Sequence, residues 1–183
     1  MRIYGVVGWK NSGKTTLMER LVTEITGRGI TVSTLKHAHH AFDIDHEGKD
    51  SWRHRHAGAQ EVLVASGARW ALMHELRDTP EPPLAELIDK LAPVDLILIE
   101  GYKRDTHPKV EAHRAETGNT LIARDDPTIR AVASDVPLSD LGKPRFDLDD
   151  VAGIADFILD ETGLSSGSST DPTASARALQ ARA

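Results

Sequence analysis

A glycine-rich segment near the start of the chain constrains the fold more than any other feature. The stretch from Met1 to Gly8 is apolar and stops at a glycine, as a short buried strand does. Leu17, Leu21 and Ile25 then recur at four-residue spacing, which predicts an amphipathic helix. The segment between them, Gly8–Thr15, reads GWKNSGKT and matches the pattern G-x-x-x-x-G-K-[ST]. A strand, this loop and a helix in that order predict a phosphate-binding loop.

Further apolar stretches predict how the sheet continues. Residues 30–35 are β-branched and alternating, so the chain begins with a strand, a helix and a second strand joined by a right-handed crossover. Residues 94–99 are apolar apart from Asp95, as strands in the middle of a parallel sheet are. We therefore predict an α/β fold, a P-loop NTPase with a mostly parallel central sheet flanked by helices.

The other elements follow from capping and periodicity. Predicted helices span 50–59, 84–91 and a last segment capped by Asp149 or Asp150. Predicted strands span 61–66, 68–75, 109–113, 120–123 and 129–133. We assign residues 1–162 to one nucleotide-binding domain. Residues 163–183 contain almost no large apolar side chains, which predicts a disordered tail.

The loop chemistry suggests which side chains contact a nucleotide. Glycines allow backbone N–H groups to surround a phosphate, and the helix that follows adds the positive end of its dipole. Lys14 is placed to reach the β and γ phosphates, and the Thr15 hydroxyl to bind magnesium. Lys36 leaves the second strand beside this loop and is a further candidate phosphate contact.

Two carboxylates, Asp95 and Glu100, lie at opposite ends of the strand predicted at 94–99. Strand geometry indicates which of them lies near the loop. Asp95 and Glu100 are separated by about 16 Å at the rise of an extended strand. Ligands in such sheets bind beyond the carboxyl ends of the strands, so Glu100 is the candidate for magnesium or for orienting water. Asp95 is interpreted as a strand-entry residue.

A histidine-rich segment follows the second predicted strand. Its histidines are His37, His39, His40, His46, His54 and His56. With Asp43 and Asp45 they could hold a transition metal, although their spacing matches no compact metal-binding template. We favour a loop that contacts an anionic ligand. Further cations that could converge on a polyanionic substrate are Lys49, Arg53, Arg55, Lys103 and Arg104.

Composition excludes several classes of function. The chain has 183 residues and no cysteine, so it contains neither a disulfide, a thiolate metal site nor a cysteine nucleophile. Its net charge of −6, with interleaved charges, argues against nucleic-acid binding. Because no apolar run reaches the length of a membrane helix and no signal peptide is recognisable, we expect a cytoplasmic protein that does not contact membranes.

Four segments together resemble a known family: GWKNSGKTTL, TLKHAHHAFDIDHEGKDSWRHRHAGA, RWALMHEL and DLILIEGYKRDTHPKVE. They resemble the molybdopterin-guanine dinucleotide biosynthesis adaptor protein B family, which consists of P-loop GTP-binding proteins of molybdenum cofactor biosynthesis. The resemblance runs from Met1 to about Leu159. It implies a homodimeric, weak GTPase that binds GTP and Mg²⁺ and assists the guanylyltransferase that attaches GMP to the molybdopterin cofactor.

The resemblance also implies roles for individual residues. Lys14 and Glu100 would be catalytic, and Thr15 and Glu100 would hold Mg²⁺. The nucleotide would be bound by Gly8, Asn11, Ser12, Gly13, Lys14, Thr15, Thr16, Lys36, Asp45 and Lys49. The N-K-x-D pattern of many GTPases is missing, so guanine preference rests on the resemblance, with Asp125, Asp126 and Asp135 as candidates for reading the base.

Three alternatives stay open. One is a small-molecule P-loop kinase, although Arg124, Arg130 and Arg145 are too scattered to predict a lid. Another is a metal-insertion GTPase that uses the histidine-rich loop. The third is an adaptor that uses the nucleotide only as a conformational latch. No arginine that could assist hydrolysis is identifiable from the sequence.

Overall fold

The computed structural model describes residues 1–38, 42, 44–139 and 141–165. The chain divides into two compact units. The first contains Met1–His37 and the chain from Pro93 onward, and the second contains Ala38–Ala92. The assignment of residues 1–162 to one nucleotide-binding domain stays a prediction.

The first unit contains a six-stranded parallel sheet, with strand order β2-β5-β1-β6-β7-β8. Its strands are β1 (Arg2–Val7), β2 (Val32–Lys36), β5 (Leu96–Glu100), β6 (Lys109–His113), β7 (Ile129–Ser134) and β8 (Arg145–Asp147). Because every pair is parallel, the carboxyl ends of the strands meet at one edge of the sheet. The predicted α/β fold with its strand, helix, strand beginning is confirmed, and β5 is inserted between β1 and β2.

Two helices, α1 (Lys14–Gly27) and α4 (Val151–Thr162), pack against the sheet. Their apolar residues form one core cluster with alternate side chains of the central strands. The helix residues of this cluster include Leu17, Leu21, Ile25, Ile154 and Ile158, and the strand residues include Tyr4, Val6, Leu96 and Leu98. The predicted helical periodicities therefore mark the buried faces of both helices. The Asp150 side chain accepts a hydrogen bond from the Gly153 N–H and caps α4, as predicted.

The prediction of a strand at Thr120–Ala123 is wrong. A 3-10 helix occupies Ile122–Arg124, and another occupies Ala115–Thr117. The buried Glu111 carboxylate accepts hydrogen bonds from the N–H groups of Ile122 and Ala123 at 3.0 and 2.8 Å. Because these N–H groups bond a side chain, they are not available to a strand ladder.

The second unit contains α2 (Asp50–His56), the strands β3 (Glu61–Ala65) and β4 (Trp70–His74), and α3 (Leu84–Asp89). The two strands form an antiparallel hairpin in which Leu63 is paired with Leu72 and Ala65 with Trp70. The strands predicted at 61–66 and 68–75 and the helices predicted at 50–59 and 84–91 are therefore present, with shorter bounds.

The predicted tail begins where α4 ends. Gly163 adopts a left-handed conformation with φ of 66° and caps the helix. Leu164 then packs against the core cluster of the first unit. Residues 166–183 lie outside the described residues, so the prediction of disorder is untested there.

Candidate functional site

The loop between β1 and α1 has a backbone that requires glycine at two positions. Gly8 has φ of 148°, and a Cβ there would lie 2.3 Å from the Ala112 carbonyl oxygen and 2.5 Å from Ser12 Oγ. Gly13 has φ of 89° and precedes the first residue of α1. Asn11 also adopts a left-handed conformation, with φ of 64°. The loop is therefore tightly turned against the end of β6.

Some polar groups at this loop have no partner among the described residues. Ser12 is 1% exposed, and its hydroxyl has no hydrogen-bond partner among the described residues. No side chain in the described part of the chain caps α1, and its first turn carries no acidic residue. The backbone N–H groups of Lys14, Thr15 and Thr16 at the start of this helix are thus available to an anion. Thr16 itself is exposed.

Lys14 bridges the loop. Its ammonium donates a 2.5 Å hydrogen bond to the Trp9 carbonyl oxygen. Burial lowers the pKa of Lys14, and the nearby Lys103 lowers it further, while Glu100 acts in the opposite direction. Lys103 lies with its ammonium 4.3 Å from the centre of the Trp9 ring. The predicted cation Lys103 is therefore near the loop, together with an aromatic residue that the sequence analysis did not select.

Thr15, Lys36 and Glu100 meet at the carboxyl ends of β2 and β5. The Thr15 hydroxyl donates to Glu100 Oε1 at 3.2 Å. Lys36 is the register partner of Glu100, and its ammonium lies 3.4 Å from the same oxygen. The Glu100 side chain is 12% exposed, whereas the Lys36 side chain is 60% exposed. The structure thus brings together three residues that the sequence analysis predicted to share a site.

A cavity of about 420 Å³ adjoins this cluster. It is lined by one side of α1 and the end of β2, with Thr15, Lys36 and Glu100 among its lining residues. Space is therefore present beside the predicted magnesium ligands.

Asp95 lies at the opposite end of β5. Its carboxylate accepts hydrogen bonds from the Thr31 N–H at 2.9 Å and the Thr31 hydroxyl at 2.6 Å. These hydrogen bonds lower the pKa of Asp95. Asp95 therefore fixes the start of the strand, which agrees with its interpretation as a strand-entry residue.

The predicted nucleotide contacts Asp45 and Lys49 belong to the second unit. Asp45 pairs with Arg55 at 2.6 Å, and Arg55 also pairs with Glu75 at 2.8 Å. Desolvation acts to raise the pKa of Asp45, but the hydrogen bonds and charge of Arg55 lower it. Lys49 is exposed and immediately precedes α2. Their contact with a nucleotide stays a prediction.

The metal hypothesis for the histidine-rich segment gains no support from the described residues, which contain no group of three or more His, Asp or Glu side chains arranged to hold a metal ion. His39, His40 and Asp43 lie outside the described residues.

None of the helices in the described part of the chain combines the length and the apolar composition of a membrane-spanning segment.

Of the candidate base-reading residues, Asp135 directly follows the carboxyl end of β7, where its carboxylate accepts a 2.9 Å hydrogen bond from the Ala115 N–H. Asp126 accepts hydrogen bonds from the Thr128 N–H and hydroxyl before β7 begins. Asp125 ends the second 3-10 helix. Asp135 is therefore the one of the three at the edge of the sheet where the loop between β1 and α1 lies.

Sequence reasoning missed Arg114, which directly follows β6. A Cβ on Gly13 would lie 3.1 Å from its Nε atom, so the guanidinium packs against the loop. The signal that identifies it is its position just beyond the carboxyl end of a strand next to β1.

Comparisons with known proteins agree with this architecture. The family described as "Molybdopterin guanine dinucleotide synthesis protein B" matches residues 3–135. The molybdopterin-guanine dinucleotide biosynthesis adapter protein of Haemophilus influenzae is 41% identical over 160 residues, covering 85% of this chain and 86% of that protein. The protein of the same name from Escherichia coli is 41% identical over 157 residues, covering 83% and 88%. The crystal structure of Bacillus subtilis MobB matches with a TM-score of 0.72 and 29% identity, over 88% of this chain and 98% of that chain.

Proposed function

Because this chain belongs to the molybdopterin guanine dinucleotide synthesis protein B family, we propose that it is an adapter protein of molybdopterin guanine dinucleotide biosynthesis that binds GTP and Mg²⁺ and hydrolyses GTP slowly. The observation that carries the nucleotide proposal is the Thr15 hydroxyl beside Glu100, at the start of a helix that follows a tight glycine loop. This arrangement combines anion-binding N–H groups with oxygen ligands for a metal ion.

The loop fits a phosphate group. The Ser12 hydroxyl and the uncapped N–H groups at the start of α1 are donors for which the described residues supply no acceptor. The Lys14 ammonium has three hydrogens and uses one of them on the Trp9 carbonyl oxygen. It can therefore bind that oxygen and a phosphate at the same time.

Thr15 and Glu100 fit Mg²⁺, which prefers hard oxygen ligands and is held in such sites by a hydroxyl and a carboxylate together with phosphate oxygens. When bound, the ion neutralises charge on the phosphates. Glu100 already faces Thr15 and Lys36. We infer that it holds the metal rather than activating water, so hydrolysis without a partner is expected to be slow.

The proposed partners are the molybdenum cofactor guanylyltransferase and the molybdopterin cofactor, and the proposed assembly is a homodimer. One face of the hairpin in the second unit is apolar, with Leu63, Trp70 and Leu72 exposed by 60%, 68% and 45%. Exposed apolar faces of this kind are commonly covered in oligomers. Trp70→Glu is expected to shift the protein from dimer to monomer in sedimentation velocity, whereas Val136→Glu, at an exposed valine of the first unit, leaves the dimer intact.

A thermal unfolding experiment tests the nucleotide proposal. The purified chain is heated with Mg²⁺ and GTP, with Mg²⁺ and ATP, or with Mg²⁺ alone. A ligand at a hundred times its dissociation constant adds about 2.7 kcal/mol to native stability, so GTP should raise the midpoint. A rise of the midpoint with ATP alone would contradict the proposed preference for a guanine nucleotide. An unchanged midpoint with both nucleotides would contradict the proposed nucleotide site.

An interaction experiment tests the adapter role. The guanylyltransferase is passed over the immobilised chain with and without GTP and Mg²⁺. Retention of the transferase is expected, and the same retention by an unrelated P-loop protein of similar charge would contradict a specific partnership.

A further inference from the structure

The Arg114 guanidinium lies against the phosphate loop. β6 is the neighbour of β1, with Val7 paired with Glu111, so both strands end at the same edge of the sheet. Arg114 is the first residue after β6, and a Cβ on Gly13 would lie 3.1 Å from its Nε and 3.6 Å from its Nη2. The guanidinium therefore reaches the residue that immediately precedes Lys14.

Arg114 is half-buried, and no described residue pairs with its charge. Within the described residues its guanidinium forms neither a hydrogen bond nor an ion pair, and only its backbone carbonyl is used, by Thr117. Arg20 and Arg55 are also half-buried, and each is paired with an aspartate. A charge that loses water on burial is normally paired in this way, because desolvation disfavours the charged form.

Several positive charges lie near the part of the loop that Arg114 contacts. The positive end of the α1 dipole begins directly after Gly13, and Lys14 and Lys103 lie near the loop. The Asp135 carboxylate also lies nearby, where it accepts a 2.9 Å hydrogen bond from the Ala115 N–H. A bound anion beside Gly13 would relieve this accumulation of positive charge.

We propose that Arg114 is a phosphate-binding residue, whose guanidinium donates to a non-bridging phosphate oxygen of the bound nucleoside triphosphate beside Gly13. The inference rests on the proposed nucleotide function and adds to it a cation from β6, on the side of the loop away from Lys36 and Glu100. The phosphates are thereby held between cations from strands on both sides of β1. A planar guanidinium matches the geometry of phosphate oxygens, which a lysine at this position matches less well.

The experiment compares three substitutions with one control by titration calorimetry with GTP and Mg²⁺. Arg114→Ala removes the side chain, Arg114→Gln keeps much of its length without charge, and Arg114→Lys keeps the charge. Arg2→Ala is the control, because Arg2 is an exposed arginine at the opposite end of the sheet. The first two substitutions are expected to weaken GTP binding by about tenfold to a hundredfold, the third by less, and Arg2→Ala is expected to leave the affinity unchanged.

The thermal midpoint without nucleotide separates phosphate binding from packing. Because the guanidinium has no anionic partner in the described part of the chain, Arg114→Gln is expected to keep or raise this midpoint while losing GTP affinity. If wild type binds GTP and Arg114→Gln binds it equally well, Arg114 only packs against Gly13 and the proposal is overturned, while the proposed function stands. If wild type binds no nucleoside triphosphate, both fall together.

Discussion

Thr15 and Glu100 are 85 residues apart in the sequence, and the Thr15 hydroxyl donates a 3.2 Å hydrogen bond to the Glu100 carboxylate. The sheet explains this contact. Val6 is the register partner of Glu100, so β5 ends level with the end of β1. The loop that leads to α1 begins at this same level. The first turn of the helix and the end of the strand are thus held together by the core beneath them.

Glu100→Gln is expected to lower Mg²⁺-dependent GTP hydrolysis by about a hundredfold, because an amide is a poorer ligand for Mg²⁺ than a carboxylate. GTP binding without magnesium should change less. Phosphate release measured across Mg²⁺ concentrations checks both expectations. Asp95→Asn is the matched control, since Asp95 lies at the other end of the same strand and binds Thr31. Normal turnover in Glu100→Gln together with a loss in Asp95→Asn would reverse the assignment.

Lys14→Ala is expected to weaken GTP binding by about a hundredfold or more, because it removes an ammonium that contacts the loop and is placed to contact phosphate. Lys10→Ala is the control. Lys10 lies in the same loop and is exposed, so its loss should change affinity only slightly. Equilibrium binding of a fluorescent GTP analogue measures both variants. Equal affinities in wild type and Lys14→Ala would remove the phosphate loop from the proposed site.

Local patterns were enough to predict the centre of the candidate site. The glycine motif fixed the loop and Thr15, and the length of one apolar strand distinguished Glu100 from Asp95. The position of Arg114 was not predictable in this way, because it depends on β6 lying beside β1, and the sequence does not encode that neighbour relationship locally. The strand at Thr120–Ala123 was predicted wrongly for a similar reason, since the Glu111 carboxylate that binds its N–H groups comes from another element. The edge strand β8 was not predicted. It covers only Arg145–Asp147, which is too short to show an alternation of apolar and polar residues.

Gly8→Ala is expected to lower the free energy of unfolding by about 2 kcal/mol, because the added methyl group would meet the Ala112 carbonyl oxygen at 2.3 Å. Gly27→Ala is the control, at the other end of the helix that follows the loop. Gly27 is the last residue of α1, and a Cβ there would have no described atom from outside the helix backbone within 4 Å, so alanine should raise stability by about 0.5 kcal/mol. Urea unfolding measures both differences. Equal stabilities of the two variants would contradict the tight packing of the loop against β6.

Asp95 is expected to make the free energy of unfolding depend on pH. Its pKa in the folded protein is below the ordinary value because of the Thr31 hydrogen bonds. The ionised form therefore contributes stability above the ordinary aspartate pKa, and this contribution is lost as the pH falls through the folded-state pKa. At neutral pH, Asp95→Asn is expected to be less stable than wild type by about 1 kcal/mol.

Urea unfolding of both proteins at neutral pH and near pH 3 checks this expectation, because other carboxylates are common to both and largely cancel in the difference. The stability gap between wild type and Asp95→Asn should narrow in acid. A gap of the same size at both pH values would show that the Asp95 charge contributes nothing.

Two truncations test where the folded part of the chain ends. Leu164 packs against the core, and its N–H donates a 2.7 Å hydrogen bond to the Leu159 carbonyl oxygen. Ending the chain after Ser165 should leave the thermal midpoint unchanged, because residues 166–183 contain little apolar side chain to bury. Ending it after Thr162 removes the Leu164 contact and the Gly163 cap, and should cost about 1 kcal/mol, or about 2–4 °C in the midpoint. Calorimetry on the two truncated chains measures the difference. A midpoint that already drops in the chain ending at Ser165 would show that residues 166–183 stabilise the fold. Equal midpoints in the two truncated chains would show that Leu164 does not.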